Sequence, residues 1–199
     1  MEFTFSTTQQ IICEAGACVR LGQICQELGV SQLLIVTDPG IVQLGLLDAA
    51  LSSLDAQGMP YSIYSDVIAD PPESKIEEAL LLAQENAVDG VMGFGGGSSM
   101  DVAKLVALLV NSEQSLSDVY GVGNAKGKRL PLVQVPTTAG TGSEVTPVAI
   151  VTTGETTKQG VVSPILLPDI ALLDANLTLG LPASVTAATG IDAMVHAIE

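Results

Sequence analysis

Aromatic side chains are scarce in this chain: three Phe, three Tyr and no Trp make up 3% of its 199 residues. Basic residues are few as well, with Lys plus Arg at 7 against Asp plus Glu at 22, a formal net charge of −15. Such a balance repels phosphate backbones and anionic lipid, which excludes nucleic acid and charged membrane surfaces as partners. The one basic cluster, "KGKR" at 126–129, lies in a Gly-rich stretch and reads as a solvated loop rather than an anion site. Long apolar runs are missing too. The longest, such as "LVALLV" at 105–110, fall far short of the ~18 residues a membrane span requires. The N-terminus, "MEFTFSTTQQ", has neither the basic start nor the apolar stretch of a secretory signal, so a cytoplasmic protein is expected. The three cysteines, Cys13, Cys18 and Cys25, are odd in number and lack C-x-x-C spacing, which excludes a zinc knot or redox pair. They read as small buried hydrophobes in a reducing compartment.

What is present is aliphatic: 47% of the residues are hydrophobic and the mean hydropathy is +0.47. Val, Leu, Ile and Ala without rings is how parallel strands covered on both faces read. Short apolar runs suited to strands occur at 32–38, 61–65, 89–94 and 130–136. Between them the segments 17–29, 39–57, 74–87 and 99–111 carry apolar residues at three and four spacing, as helices do. Alternation of this kind predicts an α/β fold with a doubly wound, mostly parallel, Rossmann-like sheet. "ADPPE" at 69–73 predicts a turn into a helix, with Glu73 in its first turn. Beyond 136 a hairpin with its turn near Gly154 and a strand at 170–173 are expected, and then a helical region. A boundary near Leu181 is expected, with an α/β domain at 1–181 and the start of a helical region at 182–199.

Four stretches carry candidate chemistry. "GFGGGSSMDVAK" at 93–104 follows a predicted strand and opens a predicted helix. Gly95, Gly96 and Gly97 let backbone N–H groups close on an anion, aided by the partial positive charge of the helix N-terminus. Ser98 caps that helix or donates to a phosphate, and Asp101 is a capping-type carboxylate or a polar ligand contact; a tight turn without ligand is the alternative for the whole stretch. Asp38, at the end of an earlier strand in "TDPG", accepts from an adenosine ribose and repels a 2′-phosphate, or else simply caps a helix that starts at Pro39. "PTTAGTGSEVT" at 136–146 offers the hydroxyls of Thr137, Thr138, Thr141 and Ser143 beside glycines that permit close approach of a ligand, or is a plain surface loop. Asp192 and His196, four apart in a helical pattern, project from one face as half of a metal site does, or as an ordinary surface pair.

In combination, "GGGSSMD", "PTTAGTGSEVT" and "ATGIDAMVHAIE" closely resemble the iron-containing, group III alcohol dehydrogenase family, and the resemblance covers essentially all 199 residues as the N-terminal half of such an enzyme. It implies a nucleotide-binding domain followed by an all-helical one, with a divalent metal and the substrate in the cleft between them. By the same resemblance Asp38 contacts the adenosine ribose, Gly95, Gly96, Gly97, Ser98 and Asp101 form the pyrophosphate loop, and Thr137, Thr138 and Thr141 contact the cofactor. Lys158 falls where the family often has a lysine near the cofactor. Asp192 and His196 match the first two of four metal ligands; the family supplies two further histidines downstream, so the chain is expected to be a truncated piece, inactive alone. At "CEAGA", 13–17, Glu14 replaces the first glycine of the family's usual Gly-x-Gly-Ala turn.

The implied activity is reversible hydride transfer between a small primary alcohol or aldehyde and a nicotinamide cofactor, NAD in preference to NADP, with Fe(II) or Zn(II) as Lewis acid. No catalytic side chain is assigned. A homo-oligomer, in the simplest case a dimer, is expected. The alternatives are a sister activity such as glycerol dehydrogenase or maleylacetate reductase, and a nucleotide-binding module without catalysis.

Overall fold

The computed structural model describes residue 3 and residues 5–154 and 156–198. Six strands, β1 (Gln10–Cys13), β2 (Leu33–Val36), β3 (Tyr61–Tyr64), β4 (Gly90–Gly95), β6 (Leu132–Pro136) and β9 (Ile170–Leu173), form one sheet in the order β1-β9-β6-β4-β2-β3. Every pairing in it is parallel. Alternate residues of each strand serve opposite faces. Leu34, Val36, Val91 and Leu132 enter one core, while Leu33, Ile35, Met92, Phe94, Val133 and Val135 enter the other. Covering both faces suits a composition rich in aliphatic and poor in aromatic side chains.

Helices α1 (Leu21–Glu27) and α3 (Asp48–Ala56) cover one face. On the other lie α4 (Glu73–Glu85) and α5 (Gly97–Leu109), and α5 is buried at every position from 99 to 109 except Asp101. It can seat this closely because Gly93 has no side chain: a Cβ there would lie 2.9 Å from the Ala103 Cβ. A second sheet, in the order β5-β8-β7, shields the outer side of α5; its strands are β5 (Gly121–Val122), β7 (Val148–Thr153) and β8 (Thr157–Val162). β7 and β8 form the expected antiparallel hairpin, with Thr153 opposite Thr157 and Gly154 at φ +59° in the turn. α6 (Ala183–Ile198) contains no buried residue. No helix among the described residues is long and apolar enough to cross a membrane.

Several expectations need correction. The single helix expected over 39–57 is two, α2 (Pro39–Gln43) and α3, because Gly45 takes φ +66° and breaks the run. The segment 17–29 begins with a 3-10 turn, Ala17–Arg20, before α1. β1 escapes the periodicity reading: it is a four-residue edge strand, paired only with β9 in the sheet order. Cys13, at its end, is exposed rather than buried. Cys18 and Cys25 are buried as expected, and burial pushes both thiols up to about 12, so neither forms a thiolate near neutrality. Within "KGKR", Arg129 is no solvated loop residue: its guanidinium pairs with Asp169 at 2.6 Å and donates to the Leu167 carbonyl.

The strand order decides where a ligand can enter. From β2 the chain moves outward to β3 and then crosses back to β4 on the other side of β2. The reversal leaves a crevice at the carboxyl ends of β2 and β4, the topological switch point at which open parallel sheets bind ligands.

Candidate functional site

β4 ends on Gly95 at φ +151°, in the region glycine favours, and a Cβ there would lie 2.7 Å from Ser99 Oγ. Gly96 is the N-cap of α5 and Gly97 its first residue. The first amides of a helix have no intrahelical acceptor, so this turn presents N–H donors and the positive end of a 13-residue dipole. Gly97 also brings the opposite loop close: a Cβ would stand 2.9 Å from Thr141 Cγ2.

Across the crevice, Asp38 follows β2. Its Oδ1 accepts from the N–H groups of Gly40 (2.9 Å) and Ile41 (3.2 Å), and Pro39 fills the first position of α2. The capping reading of Asp38 is therefore correct. It does not displace the ligand reading, because the second oxygen, Oδ2, points toward Gly95, 3.3 Å from where a Cβ would sit. A pocket of about 330 Å³ opens here, lined by Asp38, Pro39, Val67, Ile68, Gly96 and Ser98 among others.

Through the shared residues Gly97 and Ser98 it continues into a second pocket of about 580 Å³. That pocket carries Asp101, Thr141, Ser143 and Lys158 and reaches Asp192 and His196 on α6. Residues from five distant parts of the sequence thus share one cleft. α6 lies against the hydroxyl-rich loop at Gly140, where a Cβ would be 2.8 Å from the Thr189 carbonyl oxygen. The glycine expected to admit a ligand instead admits a helix.

The other candidates fall into place around this cleft. Ser98 lines both pockets but caps nothing, since Gly96 holds that position. Asp101 sits in the second turn of α5 and is no cap either: Oδ1 accepts from Ser143 Oγ at 2.6 Å and Oδ2 from the Ile150 N–H at 3.0 Å. Burial nonetheless outweighs these partners and raises its carboxyl above the usual range. Thr137 is buried and lines neither pocket; its N–H donates to the Gly95 carbonyl at 2.9 Å, tying the two loops together. The Thr138 hydroxyl lies 3.8 Å from the Cβ position of Gly96. Lys158 borders the cleft and is paired with Asp70 at 2.5 Å, so its charge is partly matched.

Asp192 and His196 stand as the helical spacing predicts, Oδ1 and Nε2 3.7 Å apart and both about half exposed. Among the described residues no group of three or more His, Cys, Asp or Glu converges to hold a metal. The pair fits a divalent ion as two donors of suitable type, on one helix face and open to the cleft, but it does not complete a ligand set.

Reading the sequence missed Asp70 and, above all, Lys104. Lys104 is fully buried in the middle of α5. Its ammonium donates to Ser143 Oγ (2.8 Å), Thr146 Oγ1 (3.2 Å) and the Val148 carbonyl (2.7 Å), with Asp101 Oδ1 at 3.7 Å. Desolvation lowers its pKa to about 8 against the pull of Asp101 and Glu144. The signal was available: a single cation in "MDVAKLVALLV", on a helix otherwise apolar all round, one turn beyond an aspartate.

Comparison with known proteins agrees with this geometry. Residues 8–175 match the profile of the family described as iron-containing alcohol dehydrogenase. The chain is 42% identical over 187 residues to long-chain-alcohol dehydrogenase 1 of Geobacillus thermodenitrificans, covering 92% of this chain and 47% of that protein. It superposes on the crystal structure of a 1,3-propanediol oxidoreductase with a TM-score of 0.96 at 32% identity, covering 100% of this chain and 52% of that one. A sulfoacetaldehyde reductase from Bifidobacterium kashiwanohense, solved in complex with NAD+, superposes with a TM-score of 0.90 at 31% identity over 100% of this chain and 53% of that one. The chain thus spans about half the length of the relatives it matches.

Proposed function

The chain belongs to the iron-containing alcohol dehydrogenase family, and from that premise we propose that it forms the nucleotide-binding part of an NAD-dependent oxidoreductase acting on small primary alcohols and aldehydes. The observation that carries the reading is the pairing, at one switch point, of an acidic strand end and a glycine-rich helix start: Asp38 Oδ2 beside Gly95, and the free amides of Gly97 and Ser98 next to it. A dinucleotide needs such an acceptor for its ribose hydroxyls and such a set of donors for its pyrophosphate.

In this reading Asp38 fixes the adenosine end and excludes a 2′-phosphate. Gly95 to Ser98 receive the diphosphate. Thr138 and Thr141, facing Gly96 and Gly97, close over it, and the dinucleotide extends along the larger pocket toward Asp192 and His196. Asp192 and His196 would hold two positions of a divalent metal, iron or zinc, and further ligands come from outside the described residues. When bound, such an ion supplies Lewis-acid polarisation of the alcohol oxygen, and the nicotinamide supplies the hydride acceptor. What the chain itself contributes is orientation. It aligns the cofactor along one wall and sets two ligands at its far end, and alignment of that kind accounts for a large share of a hydride-transfer barrier. The domain boundary near Leu181 belongs to the proposal, since α6 begins just after it and none of its described residues is buried.

Isothermal titration with NAD, ADP-ribose and NADP tests the reading directly. Binding of NAD and ADP-ribose with weaker NADP is expected. Absence of any dinucleotide binding would overturn it.

A further inference from the structure

Lys104 has no place in the cofactor contacts above, yet it is the group on which the cleft wall rests. It reaches out of α5 into the segment 143–148, a 3-10 turn at Ser143–Val145 and the lead into β7, whose other ties are the Thr8 hydroxyl on the Glu144 carbonyl, the Ser163 N–H on the Pro147 carbonyl and the Ser143 hydroxyl on Asp101. Each of its three protons has an acceptor: one hydroxyl on Ser143, one on Thr146, and the Val148 carbonyl where β7 starts. Because the ammonium donates to Ser143 Oγ, that hydroxyl's own proton is directed away, onto Asp101 Oδ1. Asp101 is thereby occupied on both oxygens, with Ile150 of β7 on the second. Asp101, Ser143 and Thr146 all line the larger pocket, whereas Lys104 does not. The buried cation therefore sets which way the cleft-lining hydroxyls face without reaching the ligand space itself.

We propose that Lys104 is a positioning residue of the cofactor cleft: its three hydrogen bonds hold the 141–146 loop, and with it Thr141, Ser143 and Asp101, in the form that receives the dinucleotide. The proposal rests on the cofactor reading for its consequence and on the bond pattern for its mechanism. Counting protons makes the dependence sharp. An ammonium has three donors and matches three acceptors, while a neutral amine has two donors and one lone pair. On deprotonation either Ser143 or Thr146 must rotate to donate, or one bond is lost. If Ser143 turns, Asp101 loses its 2.6 Å partner and faces the cleft as a carboxylate where an anionic ligand is to lie. The charged groups that face Lys104 are Asp101 from its own helix and Glu144 from the 3-10 turn 143–145; β7 presents the Val148 carbonyl. Burial lowers the lysine to about 8, which puts the change within a range the folded chain experiences.

The test compares the chain with its Lys104→Met, Lys104→Arg and Ser143→Ala variants by two measurements. The first is NAD affinity by calorimetry from pH 6.5 to 9. The second is amide-exchange protection across 141–148, relative to the strands of the six-stranded sheet, over the same range. In the parent chain NAD affinity should weaken roughly tenfold with rising pH, the size of one lost charge-assisted hydrogen bond, and protection at 141–148 should fall while the sheet is unchanged. Lys104→Met should bind about tenfold more weakly at the low end and show no pH profile. Lys104→Arg, which keeps its charge, should lose the profile even where its packing costs affinity. Ser143→Ala should weaken binding and flatten the profile, since the two donors of a neutral amine then match the two acceptors that remain, Thr146 and the Val148 carbonyl.

A Lys104→Met chain with the parent's affinity and profile overturns the proposal, and so does unchanged protection at 141–148 in that variant. Since His196 also lines the cleft and is present in every variant, a profile that survives in Lys104→Met belongs to another group and likewise overturns it. If the parent chain binds no NAD, the cofactor reading fails, and the exchange measurement still decides whether Lys104 holds the loop.

Discussion

Asp38, two residues beyond the end of β2, and Gly95, the last residue of the adjacent β4, meet at the switch point, with Asp38 Oδ2 3.3 Å from the Cβ position of Gly95. The two oxygens of this one carboxylate serve separate purposes, Oδ1 capping α2 and Oδ2 facing the crevice. The two roles can be measured apart. Asp38→Gly should narrow or reverse the preference for NAD over NADP, because the repulsion of a 2′-phosphate is removed. It should cost only a few tenths of a kcal/mol of stability, since glycine is a tolerable N-cap, whereas Asp38→Ala should cost about 1 kcal/mol. Cofactor titrations and denaturant unfolding on the same variants check both. An unchanged NAD to NADP ratio in both leaves Asp38 a cap and nothing more.

Gly97→Ala should impair dinucleotide binding with little effect on α5 itself. Alanine suits a first-turn helix position, but its Cβ would press on Thr141 from 2.9 Å and push the hydroxyl loop away. The expected result is a melting temperature near that of the parent and an NAD affinity reduced by roughly an order of magnitude. Unaltered affinity would show that Thr141 does not close on the cofactor.

Asp174 ties the turn after β1 to the end of β9, accepting from the N–H groups of Gly16 (2.8 Å), Cys18 (3.3 Å) and Asn176 (3.1 Å). Burial works against its charge, but these three donors prevail and hold its pKa below the usual aspartate value of 3.8. A carboxyl lowered in the folded state stabilises fully above its unfolded pKa, and that stability is lost as pH falls from about 4 through the folded value. Asp174→Asn should therefore cost about 2 kcal/mol at pH 7 and progressively less below pH 4. Urea unfolding at pH 7 and pH 3 measures the difference; an equal cost at both assigns the effect to shape rather than charge.

Metal affinity of the chain should be weak. Asp192 and His196 provide two donors where catalytic sites use three or more protein ligands, and both are half exposed. Titration with Zn(II) or Co(II) should give dissociation constants far above those of complete sites, and NADH absorbance with short alcohols or aldehydes should show no turnover. Robust turnover would mean that other groups complete the site.

Association of the chain in solution is expected from its exposed apolar side chains. Ile191, Met194, Val195 and Ile198 on α6 are 62%, 63%, 45% and 80% exposed, and Ile11 on the edge strand β1 is 49% exposed. Light scattering across a concentration series should show mass rising above that of a monomer. A constant monomeric mass at every concentration contradicts this.

Much of the architecture was written locally. The short apolar runs at 33–36, 90–95 and 132–136 read as buried strands because four to six residues bounded by turn signals are too few for a helix. The glycine triplet, the proline pair before α4 and the i, i+4 spacing of Asp192 and His196 are also local facts, set by backbone conformation and helical pitch. These determined the fold class, the glycine-rich start of α5 and the helix face that Asp192 and His196 share. Local pattern failed where the signal was short or the cause distant. β1 has four residues and is a strand only because β9, some 160 positions later, offers it an edge. Asp101 reads locally as a capping-type carboxylate or a polar ligand contact, whereas α5 begins at Gly97 and its two oxygens accept from Ser143 Oγ and the Ile150 amide of β7. Lys104 stands out locally as a lone cation in an apolar run, but the pattern does not say what it does. A charge inside an apolar helix is intelligible only once the loop 143–148 folds over it and supplies three acceptors, and that depends on the hairpin packing across α5. Near neighbours settle most backbone geometry, so the longer strands and helices and the glycine-rich turn are legible in the local pattern. Only the tertiary structure decided which side chains share the cleft and what each carboxylate, hydroxyl and amine is bonded to, because a buried polar group takes its role from partners far away in the chain.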